Sequence, residues 1–189
     1  PVFGAPHWTD GDPISWVLQN ISPLQELPVW KQDGGIEKFV KRKNIAPVRG
    51  GLLNMYSLCR VHKETVKWIF SVEGISDMLL LQSLIPKDKR DEYLVTTNAS
   101  GASEDCTIDV CNFLHSKRVA IVRDCDRAGQ VSYGKWNNAL RKTCECVKLI
   151  RLPFEVVEKN GKDLRDLFKQ LRENTVVSIA VGAAEILAG

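Results

Sequence analysis

Four short apolar runs divide the second part of the chain at regular intervals. They lie at Trp68–Val72, 93–97, Arg118–Val122 and Cys146–Ile150. Near-continuous apolar runs of this length are typical of strands that are buried on both faces of a parallel sheet. The segments that follow them predict helices over 76–84, 103–114, 130–142 and 164–173. This alternation predicts an α/β fold, with a largely parallel four-stranded sheet flanked by helices.

The first 66 residues lack this alternation. Asp12 followed by Pro13 favours a helix over 14–20, because Asp caps helices and Pro fits their first turn. The sequence Asp33-Gly34-Gly35 indicates a turn, and the basic segment after it predicts a second helix over 36–43.

The change of pattern near residue 67 divides the chain into three parts. We expect residues 1–66 to form an N-terminal extension or small subdomain, with nucleic-acid binding as its candidate role. Residues 67–170 form the main domain, and 171–189 a C-terminal helical tail. The sequence begins at Pro1 rather than Met, so we expect it to be part of a longer protein.

Acidic residues follow the first, third and fourth predicted strands. They are Glu73, Asp77, Asp124, Asp126, Asp163 and Asp166. Ligands of parallel sheets gather beyond the carboxyl ends of the strands, so we expect these side chains to converge at one edge. Mg²⁺ prefers hard oxygen ligands and needs only one or two carboxylates beside water and substrate phosphate. The pattern is therefore consistent with a magnesium site.

Each acidic motif also has a plainer interpretation. Asp77 falls in a first helical turn, where a carboxylate faces the positive end of the helix dipole. Asp126 and Asp163 are placed to cap helices. Asp124 and Asp126, two residues apart in an extended segment, point the same way and repel each other unless a cation lies between them. Both interpretations stay open for single motifs, whereas independent caps have no reason to share one edge.

The order of these motifs resembles that of the Toprim family, which includes bacterial-type primases, type IA and type II topoisomerases, some nucleases and recombination proteins. Glu73-Gly74-x-x-Asp77 is similar to the family's glutamate motif, and Asp124-x-Asp126 to its paired-aspartate motif. The Ala128-Gly129 pair after the second aspartate is closest to the primase branch. Lys162-Asp163-Leu164-Arg165-Asp166-Leu167 resembles the third acidic motif of phage and organellar primase-helicases. The resemblance covers residues 67–168, and Arg123 stands where the family usually has an apolar residue.

The resemblance implies a Toprim-like fold and a metal-dependent reaction on nucleic acid. It implies Glu73, Asp124 and Asp126 as catalytic residues, with Glu73 as general acid or base. We expect two Mg²⁺ (or Mn²⁺) ions. Asp124 and Asp126 would hold the first, with Glu73 nearby. Three further acids would complete or support the second: Asp77, Asp163 and Asp166.

Basic residues near the acidic motifs are candidates for binding phosphate. They are Lys117, Arg118, Arg123, Arg127 and Lys162. A basic cluster within 38–43 and the tryptophans at positions 8, 16 and 30 could also contact nucleic acid. Charged runs are usually solvated helix faces and tryptophans usually pack in a core, so this second interpretation stays open. The partners expected from the resemblance are a single-stranded DNA template, nucleoside triphosphates and a replicative helicase, but no membrane.

Charge, cysteine spacing and apolar content bear on the expected partners, metal sites and location of the protein. The 189 residues carry a net charge of +3, which permits a nucleic-acid partner without requiring one. The six cysteines form no C-x-x-C pair, so we expect free thiols and no zinc site. No apolar stretch reaches the roughly 20 residues that span a bilayer, and no secretory signal begins the chain. We expect a cytoplasmic location, whether the gene is cellular or carried by a phage or plasmid.

The leading functional prediction is the catalytic part of a DNA primase, which makes RNA primers in DNA replication by nucleotidyl transfer. One alternative is DNA cleavage by a Toprim nuclease or topoisomerase. Another is a Toprim module that binds partners without catalysis.

Overall fold

The computed structural model describes residue 33 and residues 52–53, 60–98, 103 and 105–172, together with the backbone of five N-terminal strands and of residues 173–174. The strands are β1 (Val2–Thr9), β2 (Asp12–Asn20), β3 (Leu27–Trp30), β4 (Ile36–Val40), β5 (Arg42–Ile45), β6 (Leu52–Leu53), β7 (Trp68–Val72), β8 (Tyr93–Asn98), β9 (Arg118–Val122) and β10 (Cys146–Ile150). The helices are α1 (Ile75–Leu84), α2 (Ile108–Phe113), α3 (Arg127–Leu140) and α4 (Leu164–Asn174), with a short 3₁₀ turn at Lys87–Lys89.

One sheet of eight strands organises the chain, in the order β10-β9-β7-β8-β6-β1-β2-β5. The four strands β10, β9, β7 and β8 are mutually parallel, and β6 joins β8 in the antiparallel sense. The predicted α/β fold, with four parallel strands flanked by helices, is confirmed. The sheet is larger than predicted, because strands from the N-terminal region continue it beyond β8.

The helices of the parallel region begin close to where the sequence predicts, with one exception. The prediction of a helix over 103–114 is wrong at its start, because α2 begins only at Ile108. The Thr107 side chain accepts a hydrogen bond from the backbone N–H of Val110 and caps the helix there. None of the described helices combines the length and apolarity needed to cross a membrane.

The two helices predicted in the N-terminal region are wrong. Residues 14–20 belong to β2, which pairs antiparallel with β1 along its whole length. Residues 36–40 form β4, which pairs with β3, and residues 42–43 belong to β5, which pairs with β2. Pairing with other strands therefore overrides the local capping and turn signals. The C-terminal helical tail was predicted over 171–189; its first four residues belong to α4, and 175–189 lie outside the described residues.

Two hydrophobic layers cover the parallel strands, because successive side chains of a strand point to opposite faces. Phe70 and Val72 of β7 pack in the layer that includes α1 and Leu164 of α4. Ile69 of the same strand packs in the other layer, which includes α2 and Trp136 of α3. Both faces of the parallel strands are thus buried, and the strands' carboxyl ends are the place where loops can present polar groups.

Truncation of Trp136 tests how strongly α3 is held against the sheet. Trp136 is 1 % exposed, whereas Val131 of the same helix is 52 % exposed. We expect Trp136→Ala to lower the free energy of unfolding by about 3–5 kcal/mol, because it leaves a cavity in the core. Val131→Ala should change it by less than about 0.5 kcal/mol. Urea denaturation followed by circular dichroism measures both, and similar losses in the two variants would contradict the packing described.

Candidate metal centre

Glu73 and Asp124 meet beyond the carboxyl ends of β7 and β9. The two strands are neighbours in the sheet, and Glu73 directly follows β7. The backbone N–H of Asp124 donates a hydrogen bond to Oε2 of Glu73, at 3.2 Å. The first and second acidic motifs are therefore in direct contact, as convergence at one edge requires.

Asp126 holds the loop that follows β10. Its Oδ1 accepts a hydrogen bond from the N–H of Gly129 at 2.9 Å and so caps α3. Its Oδ2 accepts one from the N–H of Gly161 at 3.3 Å. The N–H of Val157 also donates to the carbonyl of Cys125, at 3.0 Å. The plainer interpretation of Asp126 as a helix cap is thus correct. The same carboxylate also accepts a hydrogen bond from the loop that leads to the third motif.

The third motif begins α4 with two mutually capping aspartates. The N–H of Asp166 donates to Oδ1 of Asp163 at 3.0 Å, and the N–H of Asp163 donates to Oδ2 of Asp166 at 3.0 Å. This reciprocal pair is the arrangement of a capping box. Asp163 is buried and also accepts a hydrogen bond from Nε of Arg165, at 2.9 Å.

Asp77 lies buried in the first turn of α1, 5 % exposed. Nε of Arg165 is 3.4 Å from its Oδ1, close enough for an ion pair. No described group donates a hydrogen bond to that oxygen. Gly74 precedes the helix with an ordinary extended backbone, and a Cβ there would lie 3.0 Å from Oδ2 of Asp77. The glycine is therefore explained by close approach of the carboxylate rather than by an unusual turn.

The acidic side chains raise one another's pKa. Burial raises the pKa of Asp124 to about 8, and nearby negative charges add to the rise; these belong to Glu73, Asp77, Asp163 and Asp126. Burial, followed by the charge of Asp163, raises the pKa of Asp77 to about 6. Burial also raises the pKa of Glu73 above its ordinary value, against the opposing hydrogen bond from Asp124. The three acidic motifs therefore form one electrostatic unit.

Arg123 is a buried counter-charge behind this cluster, 4 % exposed. Its Nη1 donates to the carbonyls of Ser71 and Val122, Nη2 donates to Oγ of Ser71, and Nε donates to Oγ of Ser132. The guanidinium also lies 5.1 Å from the ring centroid of Trp136. Burial lowers the pKa of Arg123 to about 10, so it remains charged at neutral pH. A direct contact with phosphate is not the role that this geometry favours.

The other predicted phosphate-binding residues fall into two groups. Arg118 begins β9 and Lys117 precedes it, so both lie at least six residues, or about 20 Å along the strand direction, from Asp124. Arg127 begins α3 and forms an ion pair with Glu158, at 3.2 Å. Lys162 adjoins Asp163 and is exposed, with Nζ 5.0 Å from the ring centroid of Phe154. Arg127 and Lys162 are therefore beside the acidic cluster, whereas Lys117 and Arg118 are at the opposite edge of the sheet.

The donor atoms suit a hard divalent cation. The cluster offers only carboxylate oxygens, and the buried Oδ1 of Asp77 lacks a hydrogen-bond donor among the described groups. Within the described part of the chain, no three potential ligands already surround a single point. Mg²⁺ does not need such a preformed cage, because it keeps several waters and usually takes one or two carboxylates. The residues present therefore fit Mg²⁺ or Mn²⁺ as the ion.

Arg165 is the contributor to this site that the sequence does not single out. It lies within the third motif, yet its guanidinium contacts both Asp77 and Asp163. Its proximity to Asp163 could have been inferred from the helix start, since the two are only two residues apart. The contact with Asp77 required knowledge of how α1 and α4 lie side by side.

Comparisons with known proteins give distant structural likeness but no match in sequence. No protein-family model matches this chain, and no curated protein matches it. Among solved structures, it is similar to the primase fragment of the bacteriophage T7 primase-helicase protein, with a TM-score of 0.49 and 17 % sequence identity. The match covers 93 % of this chain and 63 % of that fragment, so this chain spans less than two thirds of the fragment's length. A likeness at this level assigns no activity to the chain.

Two glycines of α3 provide a matched test of the close packing at Asp124. A Cβ on Gly129 would lie 2.3 Å from the carbonyl oxygen of Asp124, whereas a Cβ on Gly134 would meet nothing within 4 Å. We expect Gly129→Ala to destabilise the protein by about 1–3 kcal/mol through this clash. Gly134→Ala should stabilise it by about 0.5–1 kcal/mol, since it removes backbone freedom from the unfolded chain. Equal unfolding free energies in urea would contradict the close approach at Gly129.

The raised pKa values predict that the metal-free protein loses stability as the pH rises. Asp124 and Asp77 hold their protons in the folded state up to about pH 8 and 6, but release them near 3.8 when unfolded. Their contribution to folding is therefore fully present below about pH 4, and it is lost as the pH rises through these values. Urea denaturation in EDTA, between about pH 5 and 8, should show the decline. In Asp124→Asn the decline should be shallower, by at most about 1.4 kcal/mol per pH unit. Identical profiles for the two proteins would contradict the pKa assigned to Asp124.

Proposed function

We propose that this chain is a metal-dependent nucleotidyl transferase of the Toprim type, forming the catalytic part of a DNA primase. The observation that carries the proposal is the meeting of Glu73 with Asp124, joined electrostatically by the acid of a third motif, Asp163. Like charges buried together are costly unless a cation relieves their repulsion. A cluster of this kind beyond parallel strands suits phosphoryl transfer, in which positioning and charge neutralisation lower the barrier.

Two acids would hold the first ion on this proposal, Asp124 and Asp126, with Glu73 nearby. The buried Asp77, with Asp163 and Asp166, would complete or support a second ion. When bound, the ions supply positive charge that stabilises the phosphate oxygens during the displacement. The chain's own contribution is to fix the acids, through the caps made by Asp126 and Asp163.

Glu73 is the proposed general base for the attacking hydroxyl. In the absence of metal, burial raises the pKa of this carboxyl group above its ordinary value, so it accepts a proton more readily than an exposed glutamate does. The N–H of Asp124 fixes Oε2 of the same carboxyl group. Arg127 and Lys162, at the margins of the cluster, are the proposed contacts for phosphates of the template or nucleotide. Arg123 supports the site from behind, through β7 and α3.

Substitution of Asp124 tests this assignment. The 189-residue chain is incubated with single-stranded DNA, nucleoside triphosphates and Mg²⁺ or Mn²⁺, and new oligonucleotides are measured. We expect Asp124→Asn to lower their formation by about a hundredfold or more. Mg²⁺ should raise the melting temperature of the unaltered chain, because ion binding relieves repulsion in the folded state. This rise should be lost in the variant.

Asp109→Asn is the matched control. Asp109 is exposed in the first turn of α2, outside the cluster, and the substitution makes the same change of charge. It should leave both the synthesis and the Mg²⁺ response unchanged. Shortened DNA in place of new oligonucleotides would indicate a nuclease. Full activity in Asp124→Asn, or no response of the melting temperature to Mg²⁺, would contradict the proposed site.

A further inference from the structure

A pocket of about 500 Å³ lies between α1 and α4, next to the acidic cluster. Helix α1 contributes Ser76 and Leu80 to its lining, and α4 contributes Arg165, Phe168, Lys169 and Arg172. This volume is in the range of small-molecule sites, roughly 300–1,000 Å³. The pocket is open to solvent.

Three cations line the pocket from one face of α4. Arg165, Lys169 and Arg172 are spaced four and three residues apart, which places them above one another on a helix. No carboxylate is among the lining residues. Like charges at these spacings destabilise a helix, and in the part of the chain that is described, no ion pair relieves Lys169 or Arg172. The arrangement is therefore electrostatically complementary to a compact, multiply charged anion.

The floor of the same pocket is apolar. Phe168 and Leu80 are both half-buried, and Phe168 packs against the hydrophobic layer that includes α1. An aromatic ring beside cations suits a ligand that has both a planar, weakly polar part and several negative charges. A bare phosphate would leave this apolar surface in water, whereas a nucleotide would cover it.

Arg165 joins the pocket to the acidic cluster. Its Nε lies 3.4 Å from Oδ1 of Asp77 and donates to Oδ2 of Asp163 at 2.9 Å, while its side chain also lines the pocket. A polyphosphate in the pocket would thus lie one side chain away from the carboxylates proposed to hold metal.

We propose that this pocket between α1 and α4 binds a nucleoside triphosphate, its phosphates against Arg165, Lys169 and Arg172 and its base against Phe168 and Leu80. The choice of a nucleotide as the ligand rests on the proposed nucleotidyl transfer. The charge and shape of the pocket are independent of that proposal. None of these six residues is among those that the sequence motifs single out for phosphate binding.

The test is ATP binding by the 189-residue chain in EDTA, measured by titration calorimetry at low salt. Lys169→Gln/Arg172→Gln removes two of the cations; both side chains are exposed, so the fold should persist. Its matched control is Arg141→Gln/Lys142→Gln, which removes two exposed charges at the end of α3, in the layer on the other face of the sheet. We expect the first double variant to weaken ATP binding at least tenfold, since charge-assisted hydrogen bonds to phosphate are lost. The control should change it by less than about twofold.

Two further ligands identify what the pocket holds. Inorganic tripolyphosphate should bind more weakly than ATP, because it has no base to cover Phe168. A short single-stranded DNA should lose less affinity than ATP in the Lys169/Arg172 variant. Equal ATP affinities in the two double variants, or no ATP binding by the unaltered chain, would overturn the proposal. So would a variant that loses DNA binding and keeps ATP binding, which would assign this face to a nucleic-acid strand.

ATP binding and nucleotidyl transfer are measured separately, and this separates the pocket proposal from the proposed catalysis. ATP binding that depends on Lys169 and Arg172, without any nucleotidyl transfer, would contradict the catalytic proposal alone. Nucleotidyl transfer that survives the Lys169/Arg172 change, with ATP affinity unaltered, would contradict the pocket alone.

Discussion

The guanidinium of Arg123 lies behind the carboxylates, between β7, β9 and α3, and the site depends on this placement. A buried cation is costly unless its donors are satisfied, and here hydrogen bonds to Ser71, Val122 and Ser132 engage all three nitrogens. Its charge opposes the rise in the pKa of Glu73. Arg123 therefore has a physical role: it offsets part of the negative charge that the fold gathers at this edge.

The strands of the parallel region were predictable because each is a nearly continuous run of apolar residues. β7, β9 and β10 match the predicted bounds, since buried strands read as continuous apolar runs whatever lies beside them. The N-terminal strands carry no such signal. In β2, Asp12 and Pro13 favour a helix start locally, and pairing with β1 and β5 makes the segment extended. Such pairing joins separate segments, which periodicity within one segment cannot show.

The acidic motifs were predictable as a set, but their connections were not. The α/β pattern places the carboxyl ends of the parallel strands at one edge, so the meeting of Glu73 with Asp124 could be expected. The loop after β10 could not, because its course depends on backbone hydrogen bonds between Val157 and Cys125 and between Gly161 and Asp126. The contact of Arg165 with Asp77 likewise follows from the packing of α1 against α4. Sequence spacing identifies which residues carry the chemistry, whereas tertiary packing decides which of them touch.

The loop after β10 is closely packed at Gly161 and exposed at residues 158–160. A Cβ on Gly161 would lie 2.2 Å from the backbone of Cys125, so even one methyl group has no room there. Residues 158–160 just before it are exposed, and Asn160 has a left-handed backbone, with φ of 55°. Extra residues inserted at 158–159 would lengthen the outer part of the loop at little entropic cost. This short outward segment is therefore where homologous chains could differ in length without disturbing the carboxylates.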